Sequence, residues 1–138
     1  MISKQVMTSE DAFKALHAAQ QEALAHQWAV SIAVCDDGGH LLGFVRMPGA
    51  NIASATISQS KAATAAQMKR ETKGIEEMIN GGRFAFLSAP KLEGLLEGGV
   101  PVLVNGQCVG AVGVSGVKPG EDAQIAKAAA DAVTGGMT

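Results

Sequence analysis

The chain of 138 residues has a mass of 14.0 kDa, is 47% hydrophobic and has a formal net charge of −2. This length predicts a single domain over residues 1–138 with a substantial core. No basic run is present, which argues against nucleic-acid binding, and no apolar stretch approaches the ~20 residues that cross a bilayer. The start of the chain has no apolar signal segment. We therefore expect a cytoplasmic protein that binds neither nucleic acid nor membrane.

The first half of the chain predicts a helix followed by a hairpin. Thr8 and Ser9, with acidic residues after them, are typical of an N-cap, so a helix is expected over about 9–26. Residues 28–35 then alternate as a strand, 36–39 form a turn with two aspartates, and 40–47 form a second strand. Apolar residues recur along the helix at Phe13, Leu16, Ala19, Ala23 and Leu24.

The second half repeats this pattern. Residues 53–72 predict a second helix, and a short helix at 74–80 with a loop follows. Asn105-Gly106 predicts a second hairpin with strands over 100–104 and 107–115, and Glu121-Asp122 cap a last helix that ends near residue 133. The order predicts an α+β fold with one antiparallel sheet and helices packed on it, rather than a doubly wound nucleotide fold.

Lys61 and Arg46 are the charged residues whose positions suggest a ligand. Lys61 shares a helical stripe with Ile57, Thr64 and Met68, so it faces the sheet or a pocket. It either extends its ammonium to the rim of the core or presents it to a bound anion. Arg46 ends the second strand, either as an ordinary strand-end charge or as a bidentate carboxylate clamp. The sharper hypothesis is that both bind one anionic ligand.

A glycine-rich segment at 110–116 does not have the spacing or the setting of a dinucleotide loop. Its glycines instead predict a strand that a helix or a second subunit approaches closely. Exposed amides near Gly98 and Gly99, or near Ser115 and Gly116, could hold a carboxylate. Ser115 has neither the motif nor the partner of a nucleophile. The two cysteines, Cys35 and Cys108, are expected to be buried and unpaired.

Three histidines are candidate ligands for a haem iron. His17 lies near Phe13 on the first helix, His26 lies nine residues later on the opposite face, and His40 lies at the hairpin turn. His17 and His26 cannot share one metal site. Each is more often structural or merely exposed, so no metal ligand is assigned from the sequence alone.

Four blocks of the sequence resemble the GlcG/HbpS family, also called the haem-degrading domain family. They are AVCDDGGHLLGFVRM at 33–47, SKAATAA at 60–66, GGVPV at 98–102 and GAVGVSG at 110–116. The resemblance implies a profilin-like fold with three layers, in which a central antiparallel sheet carries helices on its faces. It also implies a homo-oligomer, from dimer to octamer, and haem as the candidate cofactor.

The resemblance leaves three functions open. The first is haem binding or degradation, with Arg46 and Lys61 on the propionates and one of the histidines on the iron. The second is a cytoplasmic enzyme of a catabolic operon, an isomerase, tautomerase or hydrolase that acts on a carboxylated metabolite. There Arg46 would hold the carboxylate, and Lys61 or Glu97 would be catalytic by moving a proton. The third is a non-catalytic accessory subunit.

Overall fold

The computed structural model describes residues 1–135, which form four helices, one 3-10 helix and four strands. The elements are α1 (Ser9–Ala25), β1 (Ser31–Asp36), β2 (Leu41–Arg46), α2 (Ala53–Met68), α3 (Thr72–Asn80), the 3-10 helix (Phe84–Ser88), β3 (Gly99–Val104), β4 (Gln107–Ser115) and α4 (Pro119–Thr134). The predicted order is confirmed. The second helix ends earlier than expected because Lys69 adopts a left-handed conformation, with φ of 56°, and its N–H bonds back to Ala65 and Ala66.

The four strands form one antiparallel sheet in the order β2-β1-β4-β3. Each hairpin supplies two neighbouring strands, and the pairing of β1 with β4 joins them in the centre. α2 packs on one face of the sheet, while α1 and α4 pack on the other. The predicted α+β, three-layer fold is therefore confirmed. None of the helices in residues 1–135 is long and apolar enough to cross a membrane.

The buried face of α1 consists of alanines. Of the apolar residues noted in its sequence, Ala19 and Ala23 are buried, but Phe13 and Leu24 are exposed. Ala12 and Ala15 complete the buried face, because α1 lies close to both the sheet and α4 and only small side chains fit there. The larger apolar residues therefore form a separate, exposed stripe.

Strict alternation along β2 would put Leu42, Phe44 and Arg46 on one face, but a bulge in the first hairpin moves Leu42 to the other face. The register shifts between Val34 and Cys35, which places an extra residue in β2. Leu42 therefore packs with the α1 and α4 core, whereas Phe44 packs against the α2 side.

The glycines of β4 allow α2 to lie directly on the sheet, as predicted. A Cβ atom at Gly113 would collide with the backbone of α2 at Ser58 and Ala62. Beside this contact, Cys35 and Cys108 are buried and not disulfide-bonded, as expected. Burial raises the pKa of the Cys35 thiol to about 12, so this cysteine stays protonated and unreactive.

Candidate functional site

Lys61 lies inside the protein, where its ammonium binds two oxygens. Its Nζ donates to the carbonyl of Val114 at 2.9 Å and to Oδ2 of Asp122 at 3.3 Å. The side chains of Lys61 and Asp122 are each only 4% exposed. Lys61 therefore does not extend its charge to the rim of the core, and that interpretation is wrong. It forms a buried ion pair.

This ion pair connects the two faces of the sheet. The N–H of Val114 bonds to Gly98 beside the start of β3, so the carbonyl of Val114 also points toward that side. Lys61 reaches this carbonyl from α2, and Asp122 reaches the ammonium from the first turn of α4. Gly98, with φ of 133°, is required here because a Cβ atom would lie 2.7 Å from the Lys61 Nζ.

The pKa of Asp122 is raised to about 6. Burial of the carboxyl is the main cause, and the charge of Lys61 and a hydrogen bond from the Val117 amide at 3.1 Å offset it in part. The sequence predicted that Asp122 caps α4. The amide bond agrees with that role, but the pairing with Lys61 was missed because the two residues are far apart in the chain. Glu121 accepts a hydrogen bond from the Lys118 amide at 3.2 Å, as a helix cap does.

The structure does not bring Lys61 and Arg46 together. Arg46 lies opposite Ser31 on β1, which in turn lies opposite Ser115 on β4. The Arg46 guanidinium is exposed and has no ion pair or hydrogen bond within residues 1–135. β1 and β4 separate it from the Lys61 ammonium, which lies on the β3 side of β4. This placement gives no support to a clamp on one ligand by both residues.

The predicted backbone site for a carboxylate is partly closed. Gly98 and Gly99 are buried, contrary to the expectation of exposed amides, and the Gly99 N–H donates to the Thr72 hydroxyl at 2.8 Å. Ser115 and Gly116 follow at the end of β4, where Ser115 is buried and Gly116 is half-buried. Glu97 is the candidate proton carrier. Its backbone amide donates a hydrogen bond to a carboxylate oxygen of Glu76 at 3.2 Å.

The three histidines lie in different surroundings. The ring of His26 stacks on Trp28 with centroids 4.3 Å apart, and its Nε2 lies 3.2 Å from Glu22. His40 is exposed at the hairpin turn. His17 is exposed on α1, and its ring has no partner within the described part of the chain. The ring of His17 is therefore available to a ligand, whereas the ring of His26 already contacts Trp28 and Glu22.

His17 lies within the exposed apolar stripe of α1. Phe13 precedes it by one turn and Leu24 follows it by two, so the three side chains, which we call the α1 stripe, share one helix face. Phe13 is 64% exposed and Leu24 is 58% exposed. An imidazole with free nitrogens between apolar side chains is a donor set that fits a haem, which needs an axial ligand and apolar contacts with the macrocycle. Residues 1–135 contain no group of three metal-ligating side chains.

Comparison with known proteins shows what the chain as a whole is similar to. Residues 7–131 match the family described as haem degrading protein HbpS-like. Protein GlcG of Escherichia coli K12 is 55% identical over 115 residues, which cover 83% of this chain and 85% of GlcG. The crystal structure of Klebsiella pneumoniae protein ORFY has a TM-score of 0.87 and 33% identity, covering 96% of this chain and 95% of that one. A crystal structure of a PduOC:haem complex has a TM-score of 0.81 and 27% identity, with coverage of 93% and 95%.

Proposed function

Because this chain belongs to the HbpS-like family of haem-degrading proteins, we propose that it binds haem on the α1 stripe, with His17 as the ligand of the iron. The observation that carries this proposal is the unpartnered His17 ring between two exposed apolar side chains. The haem complex of a relative with the same fold supports it. The buried Lys61 then has a structural role instead of binding a propionate.

Each residue of the α1 stripe has a distinct role in this proposal. An imidazole nitrogen of His17 would offer its lone pair to the iron. Phe13 and Leu24 contact the macrocycle and shield that bond from water. Lys14, exposed one turn before His17, presents its ammonium to a propionate. When bound, haem supplies an iron centre that can change its oxidation state, and the protein holds and orients it.

A hemin titration followed by absorbance tests the proposal. We expect a Soret band that shifts and saturates at a stoichiometric amount of hemin in the wild-type protein. His17→Ala should remove this shift and weaken binding at least about tenfold, because the axial bond is lost. His26→Ala and His40→Ala are matched controls and should titrate like the wild type.

Two results would reject the proposal. If the wild-type protein shows no saturable Soret shift, it has no specific haem site. If the shift persists unchanged in His17→Ala, the iron is held elsewhere and the α1 stripe is not the site.

A further inference from the structure

A small polar cleft lies where three parts of the fold meet: the turn between β1 and β2, the middle of α2, and the segment 89–94 before β3. Its volume is about 260 Å³. Side chains and backbone from all three parts line it, namely Gly39, Gln59, Ser60, Thr64, Lys91 and Glu93. A drug-sized ligand usually occupies a somewhat larger pocket, so this cleft suits a molecule of only a few non-hydrogen atoms.

Hydrogen bonds from α2 fix both outer walls of the cleft. Gln67 Nε2 donates to the carbonyl of Gly38 in the turn at 3.2 Å, and the Thr64 hydroxyl donates to the carbonyl of Glu93 at 2.6 Å. The turn is also held from within, because the Asp36 carboxylate accepts from the Gly38 amide at 2.9 Å. The walls are therefore in place before a ligand arrives, which lowers the entropy cost of binding.

Two opposite charges line this cleft without pairing. The Lys91 ammonium and the Glu93 carboxylate are only two residues apart, yet neither forms an ion pair or a side-chain hydrogen bond within residues 1–135. Lys91 also has a left-handed backbone, with φ of 62°. Residues other than glycine rarely adopt this conformation, and where they do, the position is often a binding site.

The wall formed by α2 adds uncharged polar groups. Gln59 Nε2 donates to the Ala55 carbonyl at 3.0 Å, which leaves its Oε1 free to accept from a ligand. The Ser60 hydroxyl has no hydrogen-bond partner in the described part of the chain. The cleft therefore offers one cation, one anion and a pair of neutral polar groups.

We infer that this cleft binds a small zwitterion, an α-amino acid with a short polar side chain such as serine. The carboxylate of the ligand lies at the Lys91 ammonium, and its ammonium lies at the Glu93 carboxylate. Its hydroxyl lies between Gln59 and Ser60. A simple anion or a simple cation would leave one of the two charges of the cleft unmatched. The inference goes beyond haem binding and does not depend on it.

Saturation-transfer NMR with L-serine, on the full-length protein without haem, tests this site. We expect a signal on the serine protons that saturates as L-serine is added. Two probes each lack one charge: ethanolamine has no carboxylate, and 3-hydroxypropionate has no ammonium. Each should bind at least about fivefold more weakly than L-serine, because one charged contact at an exposed site is lost.

Variants of the two charged residues assign the ends of the ligand. Lys91→Met should lose the preference for L-serine over ethanolamine, since the partner of the carboxylate is gone. Glu93→Gln should lose the preference for L-serine over 3-hydroxypropionate. Lys73→Met and Glu77→Gln are the matched controls, because these two charges are equally exposed but lie on α3 outside the cleft. Both controls should bind like the wild type.

Circular dichroism confirms that each variant is folded. Three results would overturn the inference: a wild type that gives no saturable signal with L-serine, equal affinities for the three probes, or controls that weaken binding as much as Lys91→Met and Glu93→Gln do. The first would show that the two charges are only hydrated.

Discussion

Lys61 and Asp122 form an ion pair that water hardly reaches. Removing two charges from water costs several kcal/mol per ion, and their attraction offsets this cost only when the geometry is good and the remaining oxygens are bonded. Here the Val114 carbonyl and the Val117 amide supply those additional bonds. Such a pair adds little net stability compared with apolar residues, but losing one partner leaves the other charge buried alone.

Replacing Lys61 with methionine tests whether the loss of one partner destabilises the protein more than the intact ion pair stabilises it. Lys61→Met should lower the free energy of unfolding by about 3–5 kcal/mol, because Asp122 remains buried without its cation. Adding Asp122→Asn should recover most of the loss, since the amide oxygen still accepts from Val117. Lys127→Met removes an exposed ion pair with Glu71 and should cost no more than about 1 kcal/mol. Urea unfolding measures all four proteins, and a double variant as unstable as Lys61→Met would contradict the ion-pair account.

Asp122 also makes stability depend on pH. Its pKa of about 6 in the folded protein exceeds the ordinary 3.8, so between these values the folded chain holds a proton that the unfolded chain releases. The stabilisation from this carboxyl is therefore greatest below about pH 4 and is lost as the pH rises to about 6. The unfolding free energy of the wild type relative to Asp122→Asn should fall across this window and then level off. A difference that rises with pH would show that Lys61 outweighs burial.

At the residue scale, the sequence predicted that Lys61 faces away from water but did not predict its ion pair with Asp122. The helical stripe correctly placed this side chain away from open water, but Ile57 and Met68 on the same stripe are only half-buried. The buried face of α2 consists of small residues beside Lys61 and Thr64. The partner of Lys61 could not be predicted, because Asp122 lies in the first turn of a helix that begins with a proline, and an acidic residue there is typical of a helix cap. Only the three-dimensional fold brings the two residues together.

At the element scale, α1 shows where the pattern of apolar residues misleads. The large residues Phe13 and Leu24 would ordinarily define the buried face, but the alanines do so here because the helix packs closely against its neighbours. The bulge in β2 is a similar case, since nothing in the alternation of its residues shows where the extra residue lies. The strands and most helix ends were predictable from turns and caps, but the end of α2 was not, because Lys69 adopts a left-handed conformation that the sequence does not indicate.

The packing of α2 on β4 predicts a strong effect at Gly113. Gly113→Ala should lower the free energy of unfolding by about 3 kcal/mol, at the upper end for overpacking, because its methyl group meets backbone that cannot move aside easily. Gly120→Ala is the matched control, since no atom lies within 4 Å of its added methyl group. It should be neutral or slightly stabilising within α4. Thermal unfolding of both variants decides the point, and equal midpoints would contradict close packing at Gly113.

At the scale of the whole molecule, the layered fold followed from the order of elements, because two hairpins separated by helices favour one sheet with helices on its faces. The sequence could not give the order of the strands. The central pairing of β1 with β4 depends on how the two hairpins meet, and this is decided by the glycines and alanines that let α2 lie across both strands.

The ion pair between α2 and α4 has a consequence for synthesis on the ribosome. Each hairpin is local in the chain and can form within microseconds, whereas joining them at β1 and β4 requires all of α2 and α3 to be present. Even then Lys61 lacks its counter-charge until α4 has left the exit tunnel. A nascent chain that has produced the whole sheet therefore still cannot bury this lysine favourably, and folding is completed by the last helix.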